Sequence, residues 1–110
     1  MVSMPLRRIP GAIIVGNIVY TSGRSGGNGN VESQIRNSLE KLEATLKEAG
    51  TSFENVVKAT IYLSNLDYRS KYLNPIWSEV FGDNKPSRTC IEAGLGGVDV
   101  EIDMIAVIPE

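Results

Sequence analysis

The chain has 110 residues, of which 42% are hydrophobic and 22% charged, and its formal net charge is −2. This length and composition are typical of one globular domain, so residues 1–110 are treated as a single domain. No stretch approaches the roughly 18 apolar residues that a membrane span needs. No secretory signal core follows Arg7 and Arg8, so we expect a cytoplasmic protein with no membrane association.

The absent residue types exclude several kinds of chemistry. The sequence contains no histidine and one cysteine, Cys90. Ser-His-Asp and Cys-His machinery and the usual zinc sites are therefore excluded, and no intrachain disulfide is possible. Residues 26–29 are rich in glycine but lack the lysine of a phosphate-binding loop, which predicts a flexible surface turn. The lack of a basic stripe argues against binding to duplex nucleic acid.

The first half of the chain predicts a hairpin and a helix. Two β-prone runs, residues 12–15 and 18–21, flank a Gly-Asn pair and predict a tight hairpin. Asn30 is a candidate N-cap and Gly50 a candidate C-terminal cap. Between these caps, apolar residues recur at helical spacing and predict a helix that packs on a sheet. This apolar stripe consists of Ile35, Leu39, Leu42, Leu46 and Ala49.

The second half predicts a buried strand, a second helix and two further strands. Residues 56–64 are rich in β-branched side chains and predict a buried strand. A helix is expected to start at Asn65 or Asp67, and Pro75 is either a kink or the first residue of a helix that Asn74 caps. The apolar side of this helix is expected to comprise Tyr72, Ile76, Val80 and Phe81.

The C-terminal strands follow a loop at residues 82–86. A strand is predicted from about Arg88 to Ala93, and a glycine turn then leads to a strand whose apolar residues alternate with acids from Val98 to Ala106. The predicted order is β-β-α-β-α-β-β, which indicates one sheet covered on one face by two helices. Burial of the other face against further copies of the chain, in closed symmetry, is expected.

Five sequence blocks in collinear order resemble the Rid (reactive intermediate deaminase) family, whose members are also called L-PSP endoribonucleases or translation inhibitors. The blocks are residues 19–23 (VYTSG), 46–50 (LKEAG), 55–63 (NVVKATIYL), 86–90 (PSRTC) and 100–106 (VEIDMIA). The resemblance implies an α+β fold like that of chorismate mutase and a homotrimer with ligand clefts between subunits. It also implies hydrolysis of 2-imino or 2-enamino acids to 2-keto acids and ammonia, without a metal or cofactor.

The resemblance assigns the two principal site residues. Arg88 matches the arginine that binds the substrate carboxylate, and a guanidinium fork suits that task because it gives two charge-assisted hydrogen bonds. Without the surrounding block, Arg88 would be interpreted as a solvated or ion-paired surface residue. Glu101 matches the acid that directs water, and its alternative is a solvated acid on an exposed strand face.

Four further residues match ligand-contacting positions of the family. Cys90 is expected on the same strand face as Arg88, either as a thiol that lines the cleft or as an inert core cysteine, and without histidine it is a poor nucleophile. Ser22 and Gly23 match the Ser-Gly pair beside the ligand. Asn74 matches an asparagine that reaches a neighbouring subunit's cleft, with helix capping as the equal alternative.

The chain departs from the family at several positions. Ile9 stands where a cleft tyrosine is usual, and Arg24 stands where glutamine is common. Arg24 is expected to be an exposed turn residue, with a ligand contact as the alternative. The segment from Arg88 to Glu101 is two residues short, and the loop around residues 26–30 is also shortened. These departures leave the substrate range open.

The pairing of the two C-terminal strands has two alternatives. The glycine turn alone predicts that residues 88–93 and 98–107 form a hairpin, whereas the family order places the last strand centrally, and we favour the family order.

Besides imine hydrolysis, the function candidates are a non-catalytic, carboxylate-binding regulatory trimer and, ranked lowest, an RNA-cleaving translation inhibitor.

Overall fold

A seven-stranded mixed sheet organises the protein, whose computed structural model describes residues 4–110. The strands are β1 (Leu6–Ile9), β2 (Ala12–Val15), β3 (Ile18–Thr21), β4 (Arg24–Ser25), β5 (Val56–Leu63), β6 (Ser87–Glu92) and β7 (Val100–Val107). The helices are α1 (Val31–Ala49) and α2 (Asn74–Phe81), with a 3₁₀ turn at Phe53–Asn55 and a π-helical turn at Arg69–Leu73. None of the helices in residues 4–110 is long and apolar enough to cross a membrane.

The last strand lies at the centre of the sheet. The strand order is β1-β2-β3-β7-β5-β6, with β4 beside β7, and β7 is antiparallel to β3, β4 and β5. Strand β6 is parallel to β5 at the sheet edge. The hairpin between residues 88–93 and 98–107, which the glycine turn alone predicted, is therefore wrong, and the favoured family order is confirmed. Alternate side chains of β7 are almost fully buried, and a hairpin with the edge strand β6 would have left them uncovered.

The N-terminal hairpin is confirmed, and the sheet contains two further strands, β1 and β4, that the sequence did not predict. β2 and β3 pair in the expected register, with Val15 opposite Ile18. Strand β1 pairs with β2 through a turn in which Gly11 has a φ of 84°. The charged sequence of β1 and the two-residue length of β4 give no alternating apolar pattern, which explains why both were missed.

Helix α1 has the predicted bounds and buried stripe. The Asn30 side chain accepts a hydrogen bond of 2.8 Å from the backbone N–H of Ser33, which satisfies one free donor of the first turn. Gly50 ends the helix in the left-handed region. All five stripe residues are buried and pack, with α2, against the same face of the sheet.

The glycine-rich segment is tied to α1 rather than free at the surface. Gly26 is buried, and a Cβ at this position would lie 2.0 Å from the carbonyl oxygen of Gln34. The side chain of Gln34 donates to the Gly29 carbonyl at 2.9 Å and to the Asp99 carboxylate at 3.1 Å, and it accepts the Asp99 N–H at 2.8 Å. The expected flexible surface turn is thus wrong for Gly26, which only glycine fits.

The second helix begins with a π-helical turn instead of a cap. The backbone of Asn74 is itself helical, with φ −61° and ψ −43°, and no side-chain cap is present, so the capping role of Asn74 is wrong. Pro75 cannot donate a backbone hydrogen bond, and the π-helical turn immediately before it is the irregularity expected of the kink alternative. Of the predicted apolar side, Ile76 and Phe81 are buried and Tyr72 and Val80 half-buried.

In the described part of the chain, residues 4–110, no helix covers the opposite face of the sheet. Large apolar side chains are exposed there, including Ile13 at 40% and Tyr20 at 46%, which pair with each other across β2 and β3. Ile105 is the partner of Tyr20 on β7, so an apolar row crosses several strands. Both helices pack on one face, as predicted, and the apolar row lies on the other.

The hydrogen bonds of Gln34 give a stability prediction. Gln34→Met keeps the volume of a side chain that is 3% exposed but removes its two hydrogen bonds with Asp99 and its one with Gly29, so we expect a loss of about 1–3 kcal/mol in the free energy of unfolding. Urea denaturation at one fixed protein concentration measures it. The exposed Asn37, whose hydrogen bond to Gly26 is 3.3 Å, provides the control, because Asn37→Ala should cost less than about 0.5 kcal/mol. Equal losses in the free energy of unfolding for both variants would contradict the stabilising role assigned to the hydrogen bonds of Gln34.

Candidate functional site

Arg88 is held at the edge of the sheet by two residues of α2. Its Nη2 donates a hydrogen bond of 2.8 Å to Oδ1 of Asn74, and its guanidinium carbon lies 5.5 Å from the centre of the Trp77 ring. Because Trp77 is buried in the core, these contacts fix the direction of a side chain that remains partly exposed. Asn74 thus positions Arg88 of its own chain, a contact that the sequence did not predict.

The guanidinium faces a depression of about 330 Å³. The lining residues are Asn74, Trp77, Ser78, Lys85, Pro86 and Arg88. Arginine has five N–H donors, and the bond to Asn74 uses one of them. Within residues 4–110 no carboxylate forms an ion pair with Arg88, which excludes a surface ion pair inside one chain. The remaining donors suit a carboxylate ligand.

Cys90 shares the strand face of Arg88, as expected. In the parallel register Arg88 is the partner of Ala59, and Cys90 is the partner of Ile61. The side chains of Ala59 and Ile61 point into the core beneath the helices. Burial raises the pKa of the Cys90 thiol above its ordinary value, and the charges of Arg88 and Arg69 oppose this shift. The thiol is half-buried against the core, and its raised pKa favours the neutral, unreactive form.

Glu101 lies on the opposite face of the sheet, beside Gly23. A Cβ at position 23 would lie 2.6 Å from Oε2 of Glu101, so only glycine lets the carboxylate take this position. Ser22 is exposed next to Gly23, and its backbone N–H donates to the Gly11 carbonyl at 2.8 Å. The structure therefore places Gly23 beside Glu101, and these two residues, with the adjacent Ser22, form a second group.

Two residues beside Glu101 were not predicted from the sequence. Tyr62 is the cross-strand partner of Glu101, and Asp103 is the next residue on the same face of β7. The negative charge of Asp103 raises the pKa of Tyr62, with a smaller contribution from burial. The alternating patterns of β5 and β7 would have revealed both residues once the two strands were known to be neighbours.

The two groups are separated within one chain. Arg88 shares the face of Ala59 and its partner Met104, whereas Glu101 shares the other face with Tyr62. Strand β5 lies between β6 and β7, so the two backbones are about 10 Å apart and the side chains diverge from there. One chain alone does not place Arg88 and Glu101 around one small ligand.

The two substituted family positions, Ile9 and Arg24, lie away from Glu101. Ile9 is half-buried on β1 and packs against the core, so this position supplies no hydroxyl. Arg24 is part of β4, where it pairs with Ile102, and lines a shallow depression beside Pro10 and Thr45. The expectation that Arg24 is an exposed turn residue is wrong, and its side chain lies on the face opposite Glu101.

The described part of the chain, residues 4–110, contains no cluster of three or more His, Cys, Asp or Glu side chains that could hold a metal ion. The candidate groups instead offer a guanidinium, an amide, a hydroxyl and a carboxylate. Such groups bind and orient a small organic acid and a water molecule.

Fold and geometry together define a small α+β protein with an arginine at a sheet edge that has no carboxylate partner among residues 4–110. A family model described as Endoribonuclease L-PSP matches residues 5–108. The chain belongs to this family, the Rid or YjgF family, and the resemblance stated above is confirmed.

Individual relatives agree with this assignment. A RutC family protein of Pyrococcus abyssi is 36% identical over 104 residues, which cover 87% of this chain and 81% of that protein. A YjgF family structure from Neisseria meningitidis superimposes with a TM-score of 0.90 at 27% identity and covers 99% of both chains. A Rid family structure from Yersinia pestis gives a TM-score of 0.83 at 31% identity, covering 89% of this chain and 85% of that one.

The raised pKa of Cys90 predicts slow alkylation. The thiolate is the reactive form, so a pKa above the ordinary value leaves most of the thiol protonated at pH 8. Because Cys90 is the only cysteine, the pH dependence of its reaction with iodoacetamide reports this site alone.

We expect the midpoint of this pH profile above that of a short cysteine peptide measured alongside. Arg69→Gln should move the midpoint further up, since the charge of Arg69 lowers the pKa. A midpoint below that of the peptide would contradict the described surroundings of the thiol.

Proposed function

We propose that this chain hydrolyses 2-imino acids, and the enamino acids in equilibrium with them, to 2-keto acids and ammonia. Membership of the family supports a role of this type. The observation that carries the proposal is the guanidinium of Arg88, which is held by Asn74 and Trp77 and has no carboxylate partner within residues 4–110. A fixed and unpaired guanidinium fork is suited to the carboxylate that all these substrates share.

The proposed site is formed by neighbouring copies in a homotrimer. Arg88, Asn74 and Cys90 of one chain would face Glu101, Ser22 and Gly23 of the next, because the two groups lie on opposite faces of a single sheet. The uncovered face with Ile13 and Tyr20 supports association of this kind. Closed cyclic symmetry then gives one complete site at each interface.

In the proposed reaction, Arg88 holds the substrate carboxylate and Glu101 orients a water molecule toward the imine carbon. Glu101 takes a proton from the water as the water oxygen bonds to that carbon, while the imine nitrogen gains a proton from solvent. Glu101 then gives its proton to the amino group of the tetrahedral adduct, the hydroxyl proton passes to solvent, and ammonia leaves as the C–N bond breaks and the keto group forms. One water is consumed for each ammonia released, and the balance requires no metal or cofactor.

A second candidate is a carboxylate-binding regulator without catalytic activity. Ile9 favours it, because this side chain packs against the core and supplies no hydroxyl to a ligand. Binding of a 2-keto acid without imine turnover would identify this function. RNA cleavage, which the family description names, has less support because the chain is acidic overall and has few aromatic residues for stacking on bases.

We also propose a cytoplasmic location. Some curated relatives carry the word mitochondrial in their names, so fractionation of the source cells is the relevant measurement.

Substitution of the two principal residues tests the proposal. A coupled assay generates imines with an amino-acid oxidase and traps them with semicarbazide, so that hydrolysis appears as loss of the trapped product. We expect Arg88→Lys to lower the rate at least about tenfold, because lysine lacks the bidentate fork. Glu101→Gln should lower it by about 10²-fold or more, because the amide cannot accept the proton.

Two exposed residues, one with the charge of Arg88 and one with the charge of Glu101, serve as controls. Arg7→Lys and Glu43→Gln change residues of β1 and α1 outside both groups and should retain full activity. Wild-type protein that does not accelerate imine loss, or an Arg88→Lys variant with full activity, would contradict the proposal.

A further inference from the structure

Lys85 is a second cation in the depression that Arg88 faces. The six lining residues include Lys85 and Arg88 but no acid. Two positively charged side chains thus line one depression of a chain whose formal net charge is −2. A concave surface with charge of one sign attracts ligands of the opposite sign.

The ammonium of Lys85 retains free hydrogen-bond donors. Its Nζ donates to the carbonyl oxygen of Gly82, and an ammonium has three N–H donors, so two remain. Within residues 4–110 the only ion pair joins Arg36 to Glu79, and no carboxylate neutralises Lys85. The cation is therefore available to an anionic group of a ligand.

The spacing of the two cations suits a short molecule. Lys85 and Arg88 are three residues apart, so their Cα atoms are separated by at most about 10 Å. Both side chains are long enough to approach each other across the depression. Lysine acts as a mobile point charge, which tolerates ligands of slightly different length.

We propose that Lys85 determines specificity by binding a second carboxylate of the substrate. The preferred substrates are then four- and five-carbon 2-imino dicarboxylic acids, and the products are the corresponding 2-keto dicarboxylic acids. This inference rests on the proposed function, because Arg88 must take the carboxylate next to the imine carbon.

Two five-carbon acids test the inference by calorimetry. 2-Oxoglutarate and 2-oxopentanoate share the 2-keto acid end and differ at the far end, where one has a carboxylate and the other a methyl group. We expect the wild-type protein to bind 2-oxoglutarate about three- to tenfold more tightly, since a partly solvated ion pair contributes modestly. Lys85→Gln should abolish this preference and leave the affinity for 2-oxopentanoate unchanged.

Lys47→Gln is the matched control. Lys47 is exposed near the end of α1 and outside the depression, so this variant changes the net charge equally and should keep the preference. Circular dichroism verifies that both variants fold. If the wild type binds the two acids equally, or Lys85→Gln keeps the preference, the inference is overturned and the proposed function stands. If neither acid binds the wild type, the proposed function fails as well.

Discussion

The alternation of side chains along the strands is the constraint on which the rest of this structure depends. The side chain of Arg88 lies on the same face of the sheet as that of its partner Ala59, which points to the helices. The side chain of Glu101 lies on the same face as that of its partner Tyr62, which points away from the helices. A shift of one residue in the β5–β6 or β5–β7 register would reverse one of these directions and expose core residues. The same alternation that buries the core therefore separates the two principal residues of the candidate site.

This separation connects the fold to the proposed assembly. Both helices cover one face of the sheet, and the other face exposes Ile13 and Tyr20. A domain of this size leaves roughly a third of its unfolded surface exposed, so burial of that face against other copies adds stability. In the proposed trimer the same contact brings the Arg88 group of one chain to the Glu101 group of its neighbour, so that stability and function depend on one interface.

Much of the fold follows from local patterns in the sequence. The caps at Asn30 and Gly50, the stripe of α1 and the alternation of β7 were each predictable because they depend on neighbouring residues. The central position of β7 was predictable only from the resemblance, since pairing with β5 depends on residues about 40 positions away. The local pattern alone suggested an incorrect hairpin.

The candidate site was predictable to a similar extent. The sequence singled out Arg88 and Glu101 as candidates through their family blocks, but it did not reveal that Asn74 binds Arg88 or that Gly23 makes room for Glu101. Both contacts join segments that are distant in the chain and depend on side-chain placement. Tyr62 and Lys85 were not singled out because the family blocks assign them no role, and their positions beside Glu101 and Arg88 appear only in the folded chain.

Mixed assemblies of two inactive variants test the central claim most directly. Arg88→Ala and Glu101→Gln chains would be unfolded together, refolded at equal concentrations and assayed for imine hydrolysis against each variant refolded alone. If each site combines Arg88 of one chain with Glu101 of the next, random mixing restores about a quarter of the wild-type activity. Activity no higher than that of the separate variants, in assemblies shown by mass spectrometry to contain both chains, would contradict the account.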